Sequence, residues 1–136
     1  MADSVTSQQI TDGLRNAVYK FTNISDGTGE SAVTKVDVSA LAADTRGTQG
    51  RACSSVNVER IVFSTKGMSV RILEDATSDV LICELPADVT GELSFFDFGG
   101  IPNSKAPGFS GDINFTTFGA ASGDAYTVVM QLKKNY

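Results

Sequence analysis

Alternation at period two recurs along this chain, and it restricts the fold more than any other feature. In an extended backbone successive side chains point to opposite faces, so alternating apolar and polar residues mark a strand with one face buried. The stretch AVYKFTNI (17–24) places Ala17, Tyr19 and Phe21 on one face and Val18, Lys20 and Thr22 on the other. AVTKVDVSAL (32–41) is similarly β-branched, and the intervening SDGTGES carries an Asp-Gly and a second glycine, so the two runs are expected to form a hairpin. AADTRGTQGRA (42–52) has no large apolar side chain and reads as a loop.

The pattern continues in SVNVERIVFST (55–65), where Val56, Val58, Arg60 and Val62 share one face and Glu59, Ile61 and Phe63 the other. With large apolar groups on both faces, this segment is expected as a central strand. A turn at Lys66-Gly67 leads to MSVRILED (68–75), and ATS leads on to DVLICEL (79–85), which together predict a meander closed by Pro86. ELSFFDFGG (92–100) is a further strand candidate, and IPNSKAPGFS (101–110), with Pro102 and Pro107, is a loop. DINFTTFG and DAYTVVMQLKK are the last two strands, joined by a turn, and Tyr126, Val128, Met130 and Leu132 share a face of the second.

No segment longer than a turn carries the helical period, SQQITDGLRNAV (7–18) coming nearest. About eight or nine short strands, punctuated by Gly, Pro and Ser/Thr turns, predict an all-β fold, a single-domain antiparallel β-sandwich of jelly-roll type. That domain is expected to span 14–136. The preceding MADSVTSQQITDG is too polar to enter a core, so residues 1–13 are expected as a flexible N-terminal arm, either frayed or able to add a strand to a neighbour.

Composition narrows the function classes. At 136 residues, with 41% apolar and 20% charged, the chain can bury one core without disulfides. A net charge of −5, with no basic run longer than Lys133-Lys134, argues against nucleic acid as a partner, because phosphate backbones reward clustered cations. No apolar stretch approaches the roughly 18 residues of a membrane span, and no apolar leader is visible, so synthesis in the cytoplasm without membrane insertion is expected. The absence of histidine excludes Ser-His-Asp and Cys-His catalysis, and two cysteines cannot build the usual structural zinc sites. No catalytic, cofactor-binding or metal-binding residue is assigned.

The turn carboxylates Asp26, Glu30, Asp44, Asp79, Asp88, Asp112 and Asp124 are expected to be solvated. SDGTGE and the two SGD turns lack the ligand spacing of an EF-hand and the glycine-lysine of a P-loop. Cys53 and Cys83 are expected as reduced thiols in the cytosol, with a disulfide formed after release from the cell as the alternative. The candidate interface is Phe95, Phe96 and Phe98: adjacent Phe95 and Phe96 on a strand point to opposite faces, so one enters the core and the other needs cover from a loop or a neighbouring subunit.

The stretches FTNISDGTGESAVTKVDVSAL (21–41), GMSVRILEDATSDV (67–80), FDFGGIPN (96–103) and GFSGDINFTTFGAASGDAYTVVMQLKK (108–134) resemble small virion structural proteins of tailed bacteriophages. These are turn and strand patterns that transfer no functional residue. The resemblance implies a non-enzymatic capsid decoration, or cement, protein, made in the host cytoplasm and located on the virion. It would bind the major capsid protein on the outer surface of the head, stabilise it, and self-associate there as a homo-oligomer. A neck, tail or fibre-associated β-domain is the alternative. A carbohydrate-binding module is a further one, with Tyr19, Tyr126 or Tyr136 in place of the missing tryptophan platform.

Overall fold

The computed structural model describes residues 4–44 and 50–136. Over these the alternating runs become nine strands: β1 (Ser4–Asp12), β2 (Asn16–Ile24), β3 (Val33–Val36), β4 (Ser55–Lys66), β5 (Ser69–Glu74), β6 (Val80–Leu85), β7 (Thr90–Ser94), β8 (Ile113–Phe118) and β9 (Ala125–Asn135). Two 3-10 turns, Val38–Ala40 and Phe96–Phe98, are the only helical elements among the described residues. The strands form two antiparallel sheets, a five-stranded one in the order β1-β2-β9-β4-β7 and a four-stranded one in the order β3-β8-β5-β6.

The inward faces follow the alternation. Ala17 and Phe21 of β2, Ile61 and Phe63 of β4, and Tyr126, Val128, Met130 and Leu132 of β9 are buried in one cluster with Val36, Val70, Ile72, Leu85, Ile113 and Phe115 of the other sheet. Phe115 meets Phe21 edge-on with ring centroids 5.2 Å apart, and Tyr126 likewise at 5.9 Å, so aromatic contacts cross the layer between the sheets. The molecule is an all-β sandwich around one core.

Strand pairing differs from the sequence expectation at two connections, and a third connection also crosses between the sheets. β2 and β3 make no hairpin: SDGTGES carries the chain from the five-stranded to the four-stranded sheet. The meander fails at its first turn, because β4 and β5 also lie in different sheets, whereas β5 and β6 do pair. β8 and β9, though joined by a short turn, again belong to opposite sheets. Period two tells which residues share a face and says nothing about the neighbour, and a short turn serves a corner between sheets as well as a hairpin. Gly67 marks one such corner: its φ is +78°, and the Asp124 carboxylate occupies the place where a Cβ would stand.

β4 is an interior strand, but its two apolar faces have another origin. The register on β9 shifts between Val58 and Arg60, so Glu59 is an extra residue, a β-bulge. The buried side switches there from Val56 and Val58 to Ile61, Phe63 and Thr65.

The N-terminal segment is likewise corrected. Within the expected arm, residues 4–12 form β1, which pairs along β2 from Ser4 opposite Ile24 to Asp12 opposite Ala17. It is the edge strand of the sandwich, held by ladder hydrogen bonds while its side chains stay exposed. Residues 1–3 of that arm lie outside the described residues. So do residues 45–49 of the expected 42–52 loop, whose ends are joined by a bridge between Asp44 and Arg51.

Candidate functional site

β7 ends at Ser94, and the phenylalanines therefore do not alternate as a strand would make them. Phe95 turns out of the extended region at φ −122°, ψ 20°, and Phe96–Phe98 form a 3-10 turn. Gly99 closes it in the left-handed conformation, its N–H donating to Phe96 O at 3.1 Å, and Gly100 N–H donates to Phe95 O at 2.8 Å. Gly100, at φ +92°, lies so close to β4 that a Cβ would come within 2.9 Å of Val58 O. The glycine pair that follows the aromatic run is thus what lets the chain fold back.

This turn is fastened to β4 at the bulge. Phe95 N–H donates to Glu59 O at 2.8 Å, Val58 and Ile101 exchange backbone hydrogen bonds of 2.9 and 2.8 Å, and Asn57 Nδ2 donates to Gly99 O at 3.2 Å. Phe95 packs against the core, and its ring centroid lies 6.1 Å from that of Phe98. Phe96 and Phe98 remain 45% and 68% exposed. The expectation that Phe95 and Phe96 oppose each other across a strand gives way to one anchored ring and two displayed ones. The site stands at the β7 edge of the five-stranded sheet, opposite β1.

The remaining candidates are not gathered there. Cys53 and Cys83 are free thiols, the first buried with its Sγ donating to Ser55 O at 3.2 Å, the second partly buried on β6. Burial pushes the Cys83 thiol up to about 11 and raises Cys53 as well, so neither is activated as a thiolate near neutral pH. Among the described residues no three His, Cys, Asp or Glu side chains converge as a metal site. Of the tyrosines, Tyr126 lies in the core, Tyr19 stacks on Phe21 at 5.5 Å, and Tyr136 O–H donates to Leu14 O at 2.5 Å.

Two turn carboxylates expected in solvent are buried instead. Glu30 sits 2.5 Å from Lys35 Nζ and accepts the Tyr126 hydroxyl at 2.5 Å, and Asp44 pairs with Arg51 at 3.0 Å. Lys35 enters the interior because β3 bulges there, between Thr34 and Val36. These pairs brace turns. Glu30–Lys35 is an ion pair closed inside the fold, whereas Arg51 reaches Asp44 from the surface, and of the candidates read from the sequence the phenylalanine turn is the one that presents large apolar groups to solvent on a frame fixed by hydrogen bonds.

No protein-family model matches the chain, and neither a curated protein nor a solved structure matches it.

Proposed function

We propose that this protein is a structural component of a tailed-phage particle, a decoration protein that docks on the outer surface of the head through Phe96 and Phe98 and stabilises the shell. The observation that carries the reading is the exposed aromatic pair on a turn pinned by backbone hydrogen bonds to an interior strand. Rigid aromatic side chains make efficient interface anchors, because burying them removes large apolar area from water while little conformational freedom is lost. The likeness of four sequence stretches to phage virion proteins supplies the partner, the major capsid protein, and an acidic surface suits a protein that stays on the side of the shell away from DNA.

The strand order supports the jelly-roll form of the sandwich. With β1 set aside, the sheets read β2-β9-β4-β7 and β3-β8-β5-β6. That is the order produced when a long antiparallel hairpin, pairing β2 with β9, β3 with β8, β4 with β7 and β5 with β6, is wound about a barrel, and β2 with β9, β3 with β8, β4 with β7 and β5 with β6 are each hydrogen-bonded here.

The test is addition of purified protein to expanded heads that lack it, followed by heating or chelation. Heads that resist longer with the protein support the reading; heads equally labile with and without it overturn it. Replacing Phe96 and Phe98 with Ser should leave the melting temperature nearly unchanged, since exposed substitutions typically cost within about 0.5 kcal/mol. Docking should weaken by roughly tenfold or more, as expected when central aromatic anchors are removed. Quantifying copies per particle against the major capsid protein locates the protein: a simple fraction of the shell lattice fits decoration, and a few copies would move it to the neck or tail.

A further inference from the structure

A sandwich of two open sheets has four edge strands, here β1, β7, β3 and β6. Each exposes backbone N–H and C=O groups that template pairing with another chain unless length, charge, proline or a bulge blunts them. β7 has 5 residues, among them Gly91 and Glu92. β3 has 4 and is broken by the bulge at Lys35. β6 is interrupted by a register shift at Ile82, carries Glu84 and runs into Pro86. β1 differs from all three. It is 9 residues long, and from Ser4 to Thr11 it contains no charged residue, proline or glycine. Its register on β2 is regular from Ser4 to Gln9, and its one irregularity comes after that.

We propose that β1 pairs antiparallel with β1 of a second copy, across a two-fold axis at Thr6, so that the two five-stranded sheets become one continuous sheet. Two observations select a second copy as the occupant, and a third sets the register. The protein carries a net charge of −5, which opposes contact between most of its surfaces, but SVTSQQIT sets no charge opposite itself when it self-pairs. A charged partner strand, by contrast, would find no complementary charge along Ser4–Thr11. Antiparallel partners share a face, so a self-paired strand must be centred on a residue, and centring on Thr6 places Thr6 against Thr6, Val5 against Ser7 and Ser4 against Gln8.

The third observation fixes the centre. Thr90, Ser64, Thr127, Thr22 and Thr6 are successive cross-strand neighbours over the whole five-stranded sheet. Ser64 and Thr90 hydroxyls are hydrogen-bonded at 3.1 Å, and Thr6 and Thr22 hydroxyls are bonded as well. A two-fold at Thr6 continues this row through a Thr–Thr pair into the second copy. Short side chains there leave the edge clear for the approach of another backbone.

Sedimentation equilibrium of the purified full chain, from micromolar to millimolar concentration, tests the pairing without reference to any particle. The expected result is a reversible monomer–dimer equilibrium. Thr6→Lys and Thr6→Glu each set a like charge against itself and should weaken the dimer by roughly fivefold or more, and mixing the two variants should restore it as a heterodimer. Thermal melts of both variants serve as the folding control, because Thr6 is exposed. A wild-type protein that stays monomeric throughout overturns the proposal. So do variants that dimerise as tightly as wild type, or a mixture no tighter than its components.

Discussion

Lys35 and Glu30 face each other inside the sandwich with side chains only 3% and 5% exposed, and Tyr126 donates to the same carboxylate. Charges withdrawn from water are tolerable only as a pair, so removing one partner costs far more than removing both. Glu30→Gln keeps an acceptor for Tyr126 but leaves the Lys35 ammonium uncompensated, and is expected to destabilise the fold by about 3–5 kcal/mol. Adding Lys35→Met should recover most of that loss, read as the midpoint of urea unfolding. Asp12 makes a second test. Burial alone would raise its carboxyl, but the hydrogen bond from Lys134, the N–H of Ala42 and the charge of Lys134 outweigh it and hold the group below its ordinary value. A carboxylate held lower in the folded state stabilises above its unfolded value of about 3.9, and this contribution disappears as pH falls through the folded value. As pH falls below about 4 the protection of the Ala42 amide, measured against its intrinsic exchange rate at each pH, should therefore decrease, and Asp12→Asn should remove that decrease. Neither arrangement was legible in the sequence. The SDGTGES composition around Glu30 reports a chain reversal, which is a local property, whereas its burial depends on what β3 and β9 bring over it.

At the scale of elements the sequence showed the strands far better than their partners. Tyr126, Val128, Met130 and Leu132 alternate cleanly and are all buried. The same reasoning misread 55–65, because the bulge at Glu59 shifts the buried parity within one strand and makes a one-faced strand look two-faced. It also misread 92–100, where Phe95 and Phe96 sit in strand-like company but Gly99 and Gly100 permit a tight return; the glycine pair itself was the available signal. β1 reads as an arm in the sequence because its side chains, Val5 and Ile10 apart, are polar and it adds nothing to the core. Its backbone ladder and the Thr6–Thr22 hydroxyl contact tie it to β2, whereas β9 is hydrogen-bonded on both sides and buried on one face. In the monomer, at concentrations too low for β1 to self-pair, amide exchange in β1 is accordingly expected to be faster than in β9 by roughly two orders of magnitude, the difference between local fraying and near-global opening. Equal protection of the two strands would contradict this account.

For the whole molecule, the pairing of distant segments governs how the fold is reached. Ala17 lies opposite Leu132, and Ser55 opposite Asn135, so the centre of the five-stranded sheet cannot close until almost the entire chain is available. Folds dominated by such non-local pairing form slowly, and refolding from denaturant, followed by tyrosine fluorescence since the chain has no tryptophan, is expected to take milliseconds to seconds. A submillisecond phase carrying the full amplitude would contradict that expectation. The overall class was legible, because alternation and turn spacing are summed over many segments, while topology was not, because each turn decides its own destination.

The phenylalanine turn and β1 occupy opposite margins of one sheet. Two copies joined at β1 would carry their phenylalanine pairs at the far ends of a stiff span, roughly 40 Å apart at the usual strand spacing. Such a pair is a ruler with a grip at each end. It would hold fast only where a lattice repeats its footholds at that interval, and avidity would strengthen each weak grip by about a hundredfold or more. Selectivity for an assembled shell over its free subunits would then arise from distance alone.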